Sequence, residues 1–215
     1  MRRAVVLLVL LGCGRGADKT SDHAPDAASA TVEPSAPPVD AAIAEPDAAP
    51  PEPKKYARVL HTGDSMVGGG LCKALQPRFE AQGGKFYRDV WESGRVFQFA
   101  ASDRIPKLLK KIDPDLVILT LGSNDVWMNE PDQIAKGAEK IARIVSEGGR
   151  ECWWLGPPIW KPYFKGIVEL LKEHVAPCTF FDATELELQR RPDGIHPTDK
   201  GGEVWADAFW KALYP

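Results

Sequence analysis

The chain has 215 residues, 44% of them hydrophobic, enough for one domain of ordinary size with appendages. A formal net charge of -3, with no long basic run to track phosphates, argues against nucleic acid as a partner.

Arg2 and Arg3 precede the apolar run Ala4 to Leu11, which Gly12 and Cys13 follow. That run is far short of the roughly 20 apolar residues needed to span a bilayer, so it reads as a signal peptide over residues 1–13. Leu10-Leu11-Gly12-Cys13 resembles the lipobox of bacterial lipoproteins. The resemblance implies that Cys13 becomes the lipidated first residue of a membrane-anchored lipoprotein facing the periplasm or the cell exterior. An ordinary secretory signal with an incidental cysteine is the alternative, and both readings export the protein.

From Gly14 to Pro53 no aromatic residue occurs, 19 of the 40 residues are Ala or Pro, and acids outnumber bases eight to two. Such a segment cannot build a core, so residues 14–55 are expected to form an extended, self-repelling tether. The tether holds most of the negative charge and leaves the domain expected over 56–215 nearly neutral.

Beyond Tyr56, short apolar runs alternate with helical periods, the pattern of an α/β domain. Strands are expected over Arg58 to His61, Phe86 to Trp91, Asp115 to Leu121, Cys152 to Leu155 and Thr179 to Phe181. Helices are expected near Val67 to Ala81, Arg104 to Lys111, Pro131 to Glu147, Pro162 to His174 and Gly202 to Leu213. Leu116-Val117-Ile118-Leu119 is apolar on both faces, as a strand covered on both sides must be. Leu71, Leu75 and Phe79, and again Ile134, Ala138, Ile141 and Val145, repeat at helical spacing. Val204, Trp205, Ala208, Phe209 and Leu213 are expected to pack the last helix into the core. Five strands with helical crossovers predict a three-layer α/β/α sandwich on a five-stranded parallel sheet, flavodoxin-like in its winding.

Ligands of such sheets collect beyond the carboxyl ends of the strands. There the sequence places Gly63-Asp64-Ser65, Gly122-Ser123-Asn124-Asp125 and Asp193-Gly194-Ile195-His196-Pro197. A serine hydroxyl needs a base to become a nucleophile, and an imidazole is suited to the task near neutral pH. Ser65 and His196 fit these roles, and Asp193, three residues before His196 across a glycine turn, can hold the imidazole in one tautomer. The oxyanion of an acyl-transfer intermediate needs hydrogen-bond donors. The Ser65 N–H at a helix start, Gly94 after the second strand and the Asn124 side-chain amide are candidates. Asp64 and Asp125 are expected to brace the loops from behind by hydrogen-bonding backbone.

These blocks resemble those of the SGNH or GDSL hydrolase family, whose four signature residues map onto Ser65, Gly94, Asn124 and His196. The resemblance covers nearly all of residues 57–215. In the second block, Trp91-Glu92-Ser93-Gly94-Arg95 lacks the Asn-x-Gly often seen there, and the chain lacks the Gly-x-Ser-x-Gly elbow of α/β-hydrolases, as the family does. The resemblance implies a carboxylic ester hydrolase that needs no cofactor.

His23, His61 and His174 show no metal-binding spacing, so no metal is expected. Cys72 falls near the apolar face of a helix as a free thiol. Cys152 and Cys178 stand at the starts of strands that should be neighbours, and export permits a disulfide between them. Trp127 and Met128 after the Asn124 block, with Trp160 and Tyr163 after the fourth strand, are expected to rim the site, stacking on sugars or covering an acyl chain. Location and family pattern favour an acylated carbohydrate of the cell envelope as the substrate of a monomeric O-acetylesterase. The alternatives are a lipase, lysophospholipase or thioesterase on the same machinery, or a non-catalytic glycan-binding envelope lipoprotein.

Overall fold

The computed structural model describes residues 54–127, 129–158 and 166–215. Cys13, the leader, the tether through Pro53, and the rim candidates Met128, Trp160 and Tyr163 lie outside the described residues.

In chain order the domain runs β1 (Arg58–Gly63), α1 (Gly70–Ala81), β2 (Lys85–Val90), α2 (Val96–Ala101), α3 (Arg104–Ile112), β3 (Leu116–Thr120), α4 (Pro131–Ser146), β4 (Glu151–Leu155), α5 (Ile167–His174), β5 (Thr179–Phe181) and α6 (Asp199–Leu213). Short 3-10 turns occupy Ser65–Val67 and Asp125–Trp127. All strand pairs are parallel, in the order β2-β1-β3-β4-β5. β3 is buried along its whole length, because helices cover both faces: α1 packs against α6, while α4 packs against α2, α3 and α5. This is the three-layer, flavodoxin-like sandwich.

The periodic apolar positions of α1 and α4 are all buried. α6 departs from expectation at Val204 and, less, at Ala208, which is only half-buried. Trp205, Phe209 and Leu213 are buried, but Val204 is 40% exposed. At 3.6 residues per turn the inward stripe passes through 202, 205, 206, 209 and 213, and position 204 falls off it. The helix expected to begin at Val67 starts at Gly70 instead, since Gly68-Gly69 interrupts it and Gly69 stands at φ 88°. α2 carries too short an apolar pattern to be read from sequence. The N–H groups at its start are satisfied by side chains: Arg95 donates to Gln98 of the helix's own first turn and Val96 to the distant Asp125.

Cys152 and Cys178 are joined as a disulfide between β4 and the entry to β5, and Cys72 is buried with a free thiol. Among the described residues no helix is long and apolar enough to cross a membrane.

Candidate active site

From β1 the chain winds first to β2 and then back across to β3, so the carboxyl ends of β1 and β3 flank the point where winding reverses. The two backbones meet closely there. A Cβ on Gly63 would lie 1.9 Å from the Thr120 carbonyl oxygen, and the Asp64 N–H donates to that oxygen at 3.0 Å. Asp64 then braces the turn that carries Ser65. Its Oδ1 accepts the Met66 N–H at 2.9 Å and its Oδ2 accepts the Ser123 N–H at 3.1 Å, so one buried carboxylate joins the β1 loop to the β3 loop. Burial pushes the Asp64 carboxyl up to about 7; the Met66 and Ser123 N–H groups pull against that rise, and the neighbouring Asp125 adds to it.

Ser65 Oγ lies 2.8 Å from His196 Nε2, and His196 Nδ1 lies 2.9 Å from Asp193 Oδ2. Asp193 reaches the ring because its loop folds on itself. The Arg191 N–H donates to the His196 carbonyl at 2.8 Å, and the Gly194 N–H, at φ 69°, donates to the Arg191 carbonyl at 2.9 Å. Asp193 Oδ1 accepts the N–H groups of Ile195 and His196 at 2.8 and 2.9 Å, a side-chain turn common for aspartate. The Ile195 N–H first, then the ring and the N–H of His196, hold the Asp193 carboxyl down at about 2. An ionised carboxylate only accepts, so Nδ1 carries the proton and Nε2 is left to accept from the Ser65 hydroxyl.

The separation of serine and histidine is set where α1 crosses α6, just beyond the two loops. A Cβ on Gly202 would lie 2.1 Å from the Gly70 carbonyl carbon, and one on Gly70 would lie 2.4 Å from the Asp199 carbonyl oxygen. Backbone therefore packs on backbone. Thr198 caps α6 by accepting the Gly201 N–H at 3.2 Å. The crossing accounts for Gly70 and Gly202; Gly201 is required for a different reason, since its Cβ would lie 2.2 Å from the Gln189 carbonyl oxygen.

The third side of the site is the β3 loop. The Asn124 amide donates one hydrogen to the Gly94 carbonyl at 3.1 Å and has a second to offer. Asp125 accepts the Val96 N–H at 3.1 Å, tying this loop to α2. Burial raises the Asp125 carboxyl to about 6, against the pull of the Val96 N–H and Arg95. Gly94 differs from expectation. Its N–H closes a turn by donating to the Trp91 carbonyl at 2.9 Å, so in this arrangement it is committed there, and the residue meets the site through its carbonyl. Glycine is still required, because a Cβ would lie 2.6 Å from the Phe99 ring. The Ser65 N–H has no acceptor among the described residues.

Above the relay lies a pocket of about 140 Å³ lined by Ser65, Asn124, His196, Glu92, Ser93 and Trp127 among others. Trp127 is 51% exposed at its edge. Glu92 and Ser93 were missed as lining residues; their signal was their place beside Gly94 in the second block. A larger cavity of about 420 Å³, lined by Lys54, Arg58, Asp113 and Glu151 among others, sits by the amino ends of the strands, away from the relay. Among the described residues no group of three or more His, Cys, Asp or Glu gathers to hold a metal ion.

The five-stranded parallel sheet between two helical layers, with the site at its switch point, defines the class of architecture. Solved structures of that architecture include the psychrotrophic esterase EstA from Pseudoalteromonas sp., 16% identical, with 73% of this chain and 96% of that one aligned at a TM-score of 0.57. A lipase/acylhydrolase from Enterococcus faecalis is 16% identical over 73% of this chain and 94% of its own, at a TM-score of 0.57. A member of the lipolytic protein G-D-S-L family from Veillonella parvula is 14% identical over 72% of this chain and 96% of its own, at 0.55. The chain thus has the fold of these proteins. No protein-family model matches it, and no curated protein matches it significantly.

Proposed function

We propose that the domain is a serine carboxylic ester hydrolase whose substrate is an O-acetylated carbohydrate of the cell envelope. The observation that carries the esterase reading is the unbroken series from Ser65 Oγ through both nitrogens of His196 to Asp193.

Ser65 Oγ attacks the ester carbonyl while its proton passes to His196 Nε2, and Asp193 stabilises the imidazolium through Nδ1–H. The tetrahedral oxyanion is met by the Ser65 N–H and the second Asn124 hydrogen; the Gly94 N–H would join them only by leaving the Trp91 carbonyl. Each such donor is worth roughly 3 kcal/mol in the transition state. Collapse breaks the bond to the alcohol, which takes the proton from Nε2. Water then gives a proton to Nε2 and attacks the acyl carbon; the bond to Oγ breaks, Oγ takes that proton back from Nε2, and the acid leaves.

The pocket over Ser65 favours a small acyl group, since about 140 Å³ is well below the roughly 300–1,000 Å³ of pockets that enclose drug-sized ligands. One protein of the same fold is named a lipase/acylhydrolase and another a lipolytic protein, which favours a second reading, hydrolysis of longer acyl esters. Acetyl, butyryl and octanoyl esters of one alcohol separate the two: a kcat/KM that rises with chain length overturns the acetylesterase. Ser65→Ala is expected to lower kcat on the acetyl ester by about 10⁴-fold or more, and equal hydrolysis by variant and wild type would end the esterase reading. A phosphonate ester should add its mass to the peptide containing Ser65.

The exported, lipid-anchored location rests on the Leu10-Leu11-Gly12-Cys13 pattern. Cys13→Ser is expected to move the protein from the membrane fraction to the soluble one; unchanged partition would remove the anchor from the proposal.

A further inference from the structure

The turn from Trp91 to Gly94 hangs from the edge of the sheet. β2 has β1 as its one neighbour, and past Val90 the ladder continues by the Trp91 N–H, which donates to the Gly63 carbonyl at 2.9 Å. The turn closes on itself through the Gly94 N–H and holds Ser93 at φ 56°, a left-handed conformation that a residue with a Cβ keeps only where its surroundings enforce it. This turn carries the Gly94 carbonyl that accepts from Asn124. A group outside the turn must therefore steady it.

Arg104, the first residue of α3, is placed to do so. Its Nε and Nη2 donate to the two oxygens of Asp89 at 2.8 and 2.7 Å, and Nη2 donates also to the Val90 carbonyl at 2.9 Å. The Asp89 side chain is 16% exposed, so the pair is sheltered from the screening that weakens surface ion pairs. The guanidinium lies over the Trp91 ring, 5.6 Å from its centroid, and that ring meets Phe99 of α2 at 5.1 Å. Asp89 accepts the Thr62 hydroxyl at 2.8 Å, which joins the cluster to β1 just before Gly63 and the serine loop. α3 is a firm mount because Ile105 and Leu109 are buried in the core. One planar cation thus grips the last two residues of β2 and the first of the turn, which the point charge of a lysine could not do together. Arg104 itself does not line the Ser65 pocket.

We propose that Arg104 is a positioning residue for ester hydrolysis: it fixes the Trp91–Gly94 turn, whose Gly94 carbonyl holds one Asn124 hydrogen and so aims the other at the oxyanion. A planar amide anchored through one N–H presents its second in a set direction, and a donor aimed at developing charge acts in the transition state. The inference rests on the esterase reading and adds to it a residue outside the blocks that bear Ser65, Gly94, Asn124 and His196.

The test is a double-mutant cycle on an acetyl ester, with kcat and KM read separately. Arg104→Met keeps the stem and removes the guanidinium; it should lower kcat about tenfold and change KM by less than about twofold. In an Asn124→Ala background, where no amide is left to aim, the same substitution should lower kcat by less than about twofold. Arg104→Lys should recover only part of the loss. Arg78→Met is the matched control, since Arg78 also pairs with an aspartate, Asp207, and lies 5.8 Å from a tryptophan ring, Trp210, but between α1 and α6. It should leave kcat within about twofold of wild type. An unchanged kcat in Arg104→Met overturns the proposal, as does an equal loss in both backgrounds or in Arg78→Met, the mark of general loosening. If circular dichroism shows Arg104→Met unfolded, Arg104→Lys takes its place in the cycle under the same criteria. Ser65→Ala that hydrolyses the ester as fast as wild type ends the esterase reading and the proposal with it; an inactive Ser65→Ala beside an unaffected Arg104→Met ends the proposal alone.

Discussion

The two acidic residues of the serine and histidine loops are tuned in opposite directions by their surroundings. Asp193 is solvent-facing and accepts three hydrogen bonds, so its carboxyl sits at about 2, below its value in the unfolded chain. A depressed acid contributes stability that is complete above the unfolded value near 4 and is lost as pH falls through 2. Asp193 therefore adds no acid limb to activity above about pH 4. Asp193→Asn keeps the size but presents an amide to Nδ1, and kcat should fall about 10²- to 10⁴-fold with an unchanged circular dichroism spectrum.

Asp64 is the reverse case. Burial raises its carboxyl to about 7, so the folded state holds the proton more tightly than the unfolded one. Its contribution is complete below about pH 4 and is lost as pH rises toward 7, at up to roughly 1.4 kcal/mol per pH unit. Urea midpoints of the wild type should fall across that range more steeply than those of Asp64→Asn; identical slopes would assign the titration elsewhere. Asp125, raised to about 6, adds to the slope in the same direction and remains in both proteins.

At the scale of elements, the crossing of α1 and α6 is the device that holds serine to histidine. Gly202→Ala puts a methyl group into space occupied by the Gly70 and Leu71 backbone, which should cost about 1–3 kcal/mol of stability. A displacement on the order of 1 Å at His196 would lower kcat by about 10²-fold. Gly148 provides the contrast. Nothing lies within 4 Å of a Cβ there, so Gly148→Ala should lower Tm through its φ of 76° and leave kcat alone. If both variants lower kcat alike, the crossing does not set the relay. The strands and long helices were legible because their burial imposes a period on the chain. α2 was not, because six residues carry less than two turns of pattern and its first turn depends on Gln98 and Asp125, the latter far away in sequence.

For the molecule as a whole, the disulfide lies at the start of β4 and the entry to β5, at the end of the sheet opposite the relay. Closing a loop of this size contributes about 3 kcal/mol in the chain-entropy model. The pair Cys152→Ser and Cys178→Ser should lower Tm by about 6–12 °C for a chain of this length. The kcat of the folded variant should stay near the wild-type value, since the site is built on other loops; a parallel loss of kcat would show that the far end of the sheet also shapes the site.

The sequence by itself determined the order of the strands and of the longer helices, the three blocks that bear Ser65, Asn124 and His196, and the partnership of Asp193 with His196. Each of these is local: a period, a turn or a spacing of three residues. Tertiary structure alone decided that the Gly94 N–H closes its own turn, that Asp64 and Asp125 each join two loops, and that Glu92 and Ser93 reach the pocket beside Trp127. Those facts depend on where backbone groups from distant segments come within hydrogen-bonding range. Residue type sets what a group can donate or accept; only the packed sheet settles which partner it meets.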